Sequence, residues 1–122
     1  MAKTVARYVD GYVLPVPKKN VEKYRRIARI ASKVWKDHGA LEYRECVGED
    51  LNTKMAMPFT RGIRAKPGET VVFAWVTYKS RAHRDRVNAR VMKDPRLSLE
   101  QTDMPFDCKR ILFGGFKIIV QA

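Results

Sequence analysis

Two segments of the sequence are apolar on both faces of the strand that each is expected to form. Because the side chains of a strand point alternately to opposite faces, every second residue belongs to the same row. In 70–78 the two rows are Val71, Phe73 and Trp75, and Val72, Ala74 and Val76. In 109–120 they are Ile111, Phe113 and Ile119, and Leu112, Phe116, Ile118 and Val120. A sheet that contains both strands needs cover on each of its faces.

The other regular elements are predicted from propensity and capping signals. Aromatic and β-branched residues predict a strand over 8–16, and the half-polar segment 40–47 is expected to be a strand near a sheet edge. A first helix begins after Asn20 and ends at Gly39, with an apolar half and a basic half. A second helix is capped by Ser80 and runs to about Lys93, before the helix-ending pair Asp94-Pro95.

The connecting segments carry weaker signals. Residues 48–66 form an excursion for which an extra strand is the candidate element, and 66–69 form a turn. Residues 96–107 are predicted to be a loop. Gly114 and Gly115 lie inside the last predicted strand, 109–120, where two glycines indicate either a bulge or a close approach of another backbone segment.

The order of these elements is β-α-β followed by β-α-β. This is the ferredoxin-like βαββαβ pattern of the α+β class, an antiparallel sheet with two helices on one face. We expect a single domain over residues 1–122, because a chain of this length supports one hydrophobic core. The helices cover one face of the sheet, and a second copy of the chain is the simplest cover for the other. The sequence therefore predicts a homodimer.

Five segments, in order along the chain, resemble the YbaA-like family of uncharacterised proteins. They are YVDGYV at 8–13, TVVFAWVTY at 70–78, Arg84-Asp85 with Asn88, DPR at 94–96, and MPFD at 104–107 through GGF at 114–116. The resemblance spans nearly the whole chain and implies a dimeric α+β barrel. Proteins with that barrel include heme-degrading and antibiotic monooxygenases and muconolactone isomerases, so a cofactor-independent oxygenase or isomerase is an alternative to a binding protein. Whether the chain is an enzyme stays open.

Polar residues on two elements are predicted to face the core together. Arg84 and Asn88 fall within the arc of the second helix that must face the sheet, and Asp10 lies between apolar neighbours on the first strand. Buried polar groups must be paired, so we expect an ion pair between Arg84 and Asp10. Two interpretations remain, a pocket for a small anionic or aromatic ligand and a structural pair, of which we favour the second. The candidate residues are Asp10, Tyr12, Trp75, Arg84 and Asn88.

The chain is strongly basic, with 25 Lys and Arg against 13 Asp and Glu and a net charge of +12. Such a charge attracts anionic partners, including nucleic acid, whose binding would be nonspecific and sensitive to salt. No sequence motif of a nucleic-acid-binding module accompanies it. The candidate contact surface is the basic half of the first helix, formed by Arg25, Arg26, Arg29, Lys33 and Lys36.

Several function classes have no support in the sequence. The longest apolar run, 71–76, is far shorter than the roughly 20 residues that span a membrane, so we expect no membrane partner. Cys46 and Cys108 are too isolated for a disulfide framework, which favours reduced thiols and a cytoplasmic location. His38 and His83 form no metal-ligand spacing, and no cofactor motif is present. The leading prediction is a small homodimeric cytoplasmic protein that binds a small ligand in the barrel cavity.

Overall fold

A four-stranded antiparallel sheet organises the fold. The computed structural model describes residues 5–97 and 104–122. Its elements are β1 (Tyr8–Pro17), α1 (Val21–Asp37), β2 (Glu42–Val47), α2 (Phe59–Gly62), β3 (Glu69–Tyr78), α3 (Arg81–Val91) and β4 (Leu112–Lys117). The strands lie in the order β2-β3-β1-β4, and α1 and α3 pack on the same face. The predicted ferredoxin-like α+β fold is confirmed.

The first helix has the apolar and basic halves that the sequence predicts. Val34 is fully buried against the sheet, whereas the basic residues are exposed. Gly39 ends the helical segment with a φ of 111°, a conformation that residues with a Cβ rarely adopt. Asn20 occupies the N-cap position without a capping bond, because its Nδ2 donates to the Pro105 carbonyl at 2.9 Å instead.

The boundaries of α3 are determined by a cap at its start and a proline after its end. The Ser80 hydroxyl accepts a hydrogen bond from the His83 backbone N–H at 3.0 Å, as an N-cap serine is expected to do. Val87 and Val91 are fully buried in the same cluster as Val34. The helix ends at Val91, two residues before the predicted Lys93, and a helical turn at Pro95–Leu97 follows within the segment predicted to be a loop.

The excursion 48–66 holds no extra strand, so that expectation was wrong. Its regular element is the single helical turn α2, which Pro58 precedes. Phe59 packs edge-on against Phe73 of β3, with 6.2 Å between ring centroids, and Ile63 is buried. Of the apolar patch at 55–59, Phe59 thus packs on one end of the sheet, whereas Met55 and Met57 are exposed.

The last strand is shorter than predicted. It covers Leu112–Lys117, whereas 109–120 was expected, because residues 108–110 form a helical turn and Ile119 and Val120 lie exposed beyond the strand. The pairing with β1 runs without interruption through both glycines, which rules out the predicted bulge. The close neighbour is a side chain and not the predicted backbone segment: a Cβ on Gly115 would come within 3.0 Å of the Tyr8 ring.

The sheet face opposite α1 and α3, here called the open face, is apolar on β3 and β4 and carries Glu42 and Arg44 at its β2 edge. Phe73, Leu112 and Phe116 point to it and are 44%, 56% and 58% exposed. The packing of α2 buries Val71 at one end of this face but leaves those three side chains accessible. Both faces of β3 and β4 thus carry apolar side chains, as the sequence predicts. Among the helices that the structure describes, none combines the length and apolarity needed to cross a membrane.

We expect Gly115→Ala to destabilise the fold by about 1 kcal/mol or more, because the added methyl must displace the Tyr8 ring. Gly114→Ala is the matched control, since its Cβ would lie at an ordinary 3.5 Å from the Phe116 ring. Chemical denaturation of both variants measures the difference. Equal midpoints for Gly115→Ala and the parent would contradict the close approach.

Candidate functional site

A cavity of about 410 Å³ lies between α1 and the helix-covered face of the sheet. We call it the inner cavity. Its volume falls within the range of ligand pockets in proteins. Aromatic side chains and two carboxylates account for most of its chemical character: Tyr12, Tyr24, Trp35, Tyr43, Phe106, Glu45 and Asp94.

The cavity exists because α1 alternates large and small residues on its buried side. Tyr24 and Trp35 reach the sheet, whereas Ala28 and Ala31 between them leave space. The sequence assigns all four residues to the apolar half of the helix, but hydropathy alone does not distinguish a filled interface from one with a gap. The void follows from side-chain size.

Glu45, one of the two carboxylates that line the inner cavity, is a residue that the sequence analysis missed. The Tyr24 hydroxyl donates to its Oε1, and the Tyr43 hydroxyl donates to its Oε2 at 2.6 Å. Burial, reinforced by the Glu45 charge, raises the pKa of both Tyr24 and Tyr43 well above the ordinary tyrosine value, so both phenols remain donors at neutral pH. The alternation of β2, which puts Glu45 on the same side as Tyr43, is the signal that would have placed it there.

A buried polar network lies beside the cavity and holds one of its walls. Arg84 Nη1 donates to Asp10 Oδ1 at 3.0 Å, and Asn88 Nδ2 lies 3.4 Å from Asp10 Oδ2. The indole Nε1 of Trp35 lies 3.1 Å from both the Tyr78 hydroxyl and Asn88 Oδ1. The network therefore fixes the orientation of a side chain that lines the inner cavity.

Asp10 is fully buried, and its charge depends on its partners. Burial raises the pKa of Asp10 above its ordinary value, while the Arg84 guanidinium offsets part of that rise. Arg84 also lies over the Tyr8 ring, with 5.1 Å from its guanidinium carbon to the ring centroid. The Arg84 and Asn88 side chains are thus engaged with protein groups, which supports the structural interpretation over a pocket that they line.

Trp75 does not join this group, so its predicted place in a pocket with Arg84 and Asn88 was wrong. It points to the open face, where its Nε1 donates to Glu42 Oε1 at 2.8 Å. Strand alternation explains the error, since Trp75 and the core residue Val76 are neighbours and must face opposite sides. The tryptophan on the helix-covered side is Trp35. Tyr12 does face the helix-covered side, where the centroid of its ring lies 4.9 Å from that of the Phe113 ring.

Ion pairs fix the end of the inner cavity where α1 and α3 terminate. Asp94, which lines the cavity, accepts from Arg96 Nη2 at 2.7 Å and lies 2.8 Å from His38 Nε2. Arg96 also reaches Asp37 Oδ2 at 2.8 Å. Hydrogen bonds from Arg96 hold the pKa of Asp94 well below its usual value. These contacts fasten the last turn of α1 to the segment that follows α3.

A second depression, the outer groove, lies on the other side of Glu45 and the two tyrosines that donate to it, Tyr24 and Tyr43. It has a volume of about 260 Å³, and Arg25 and Arg29 contribute positive charge to its lining. Both belong to the predicted anion-contacting surface, which is exposed along α1 with Arg26, Lys33 and Lys36. Binding of nucleic acid to that surface stays a prediction.

Comparison with known proteins gives a family and no activity. The family model described as "Protein of unknown function (DUF1428)" matches residues 7–108. The chain is 39% identical over 114 residues to "Uncharacterized protein YbaA" from Escherichia coli strain K12, an alignment that covers 93% of this chain and 97% of that protein. A protein of the same name from Shigella flexneri matches with the same identity and coverage.

We expect the single substitutions Arg84→Met and Asp10→Leu each to cost about 3 to 5 kcal/mol of unfolding free energy, because each strands the other charge in the core. The double variant should be more stable than either single variant. Arg90→Met, an exposed change on the same helix, is the control. Strictly additive losses in a denaturation cycle would show that the pair is not coupled.

Proposed function

This chain belongs to the DUF1428 family, and from that premise we propose that it binds a small, largely aromatic molecule in the inner cavity. The observation that carries the proposal is the cavity of about 410 Å³ between α1 and the sheet. The cavity is partly open to solvent, so a small molecule has access to it. A concave space of this size, lined by aromatic rings and two carboxylates, is typical of a ligand site.

The lining indicates the chemistry of the ligand. Tyr12, Tyr24, Trp35 and Tyr43 offer aromatic surfaces, which favour stacked or edge-on contacts with another ring. The carboxylate of Glu45 accepts hydrogen bonds, so a ligand hydroxyl or amide N–H is a suitable partner. The rigid support of Trp35 by Tyr78 and Asn88 keeps one wall in place before a ligand arrives. This arrangement supports binding of a flat molecule through its ring.

The two tryptophans allow a direct test. Trp35 lines the inner cavity and Trp75 faces away from it, so Trp75→Phe leaves Trp35 as the one tryptophan whose emission is followed. We expect para-nitrobenzamide, a neutral aromatic quencher, to reduce the Trp35 emission saturably. The Trp35→Phe variant, which keeps Trp75, should show only the weak linear quenching of an accessible indole.

A variant that fills the cavity separates specific binding from surface contact. Ala31→Leu in the Trp75→Phe background should abolish saturable quenching, because its side chain occupies the space between helix and sheet. Ala89→Leu, the same change at an exposed position of α3, should leave quenching intact. Saturable quenching that survives in Ala31→Leu, or that never appears in the parent, would overturn the proposal.

We also propose that the protein is a homodimer whose subunits meet through their open faces. Phe73, Leu112 and Phe116 form an exposed apolar surface on the sheet, and such surfaces mark interaction sites on proteins. A second copy carries the same surface, so a twofold arrangement would cover both at once. The covering of only one end by α2 supports the proposal, since most of the face remains accessible.

Two phenylalanines on β4 form a matched pair for testing the dimer. Phe116 faces the open side and is 58% exposed, whereas Phe113 is 54% exposed and faces the helix-covered side. We expect Phe116→Asp to sediment as a monomer at micromolar concentration, because it buries a charge in the interface. Phe113→Asp should remain dimeric. A monomeric parent, or equal dissociation of both variants, would exclude the open-face dimer.

A further inference from the structure

The inner cavity and the outer groove share one wall. Tyr24, Ala28, Tyr43 and Glu45 line both spaces. Ala28 contributes only a methyl group to this wall, and the hydrogen bond from Tyr24 to Glu45 closes the rest. A ligand that displaces the Tyr24 hydroxyl from Glu45 would therefore reach from the inner cavity into the groove.

The two spaces differ in charge. The described lining of the inner cavity includes the carboxylates of Glu45 and Asp94 and no Lys or Arg, so an anionic group placed there would be repelled. The outer groove shares Glu45 but adds Arg25 and Arg29, one turn apart on the same side of α1. Arg25 Nη1 lies 3.4 Å from Oε1 of the exposed Glu22, whereas Arg29 forms no salt bridge with any residue in the described part of the chain. A negative group thus has a favourable place outside the wall and an unfavourable one inside it.

We propose that the ligand is an aromatic molecule with an anionic group, oriented with its ring in the inner cavity and its anion against Arg29 and Arg25. The inference rests on the proposed function and adds the class and orientation of the ligand. Arginine suits this role because its planar guanidinium donates two parallel hydrogen bonds to a carboxylate. Arg29 is the principal contact, since its guanidinium has no competing carboxylate among the described residues.

A pair of probes with the same shape and different charge tests the inference. In the Trp75→Phe background, para-nitrobenzoate and para-nitrobenzamide are titrated against Trp35 fluorescence, each at low and high salt. We expect the benzoate to bind about tenfold more tightly than the benzamide at low salt. The difference should shrink as salt screens the exposed arginines.

Charge reversal locates the contact. Arg29→Glu should remove the preference for benzoate and leave benzamide affinity unchanged. Arg26→Glu makes the same charge change on the same helix outside the groove lining, and so corrects for the general field of the protein. Equal affinities of the parent for the two probes, or equal effects of the two substitutions, would overturn the orientation while leaving the proposed function standing. Binding of neither probe would overturn both.

Discussion

A carboxylate buried without access to water in an interior strand is the constraint on which the site depends. Asp10 lies on β1, between β3 and β4, where its neighbours on the helix-covered face are aromatic or aliphatic. Its charge has to be matched from α3, which Arg84 and Asn88 accomplish. Asn88 in turn accepts from Trp35, so the orientation of a residue on α1 follows from a charge on β1. The wall of the inner cavity is therefore a product of the polar core.

The cavity itself arises from a difference in side-chain size. Tyrosine and tryptophan hold α1 away from the sheet, and the alanines between them do not fill the resulting space. Two tyrosine hydroxyls then satisfy the Glu45 carboxylate in the lining, which removes the penalty of leaving it unpaired. The same side chains separate the inner cavity from a groove to which Arg25 and Arg29 add positive charge. A few residues on α1 and β2 thereby determine the shape and the polarity of the site.

The sequence predicts the scaffold better than it predicts the site. The first helix and β3 carry long, unambiguous patterns, and their faces are as the alternation indicates. The length of β4 depended on whether Ile119 and Val120 find a pairing partner within the chain, which apolar character alone does not specify. Trp75 was assigned to the wrong face because its aromatic character was given more weight than its place in the strand. Glu45 was overlooked because the half-polar composition of 40–47 does not show which charged residue lies on the buried side. Both errors concern which side of the sheet a residue occupies, and both required the register with its neighbours.

The contrast between the polar core and the alanines of α1 bears on how such a sequence can evolve. A lineage that loses Asp10 or Arg84 alone passes through an intermediate with a stranded charge, so these positions are expected to change together or to be inherited intact. Ala28 and Ala31 border empty space and can each be replaced in a single step, with a change in the room available to a guest molecule. Selection could then alter which compound is accepted while the framework that presents it is preserved. The residues that must be retained, Asp10 and Arg84, are therefore different from those that can vary, Ala28 and Ala31.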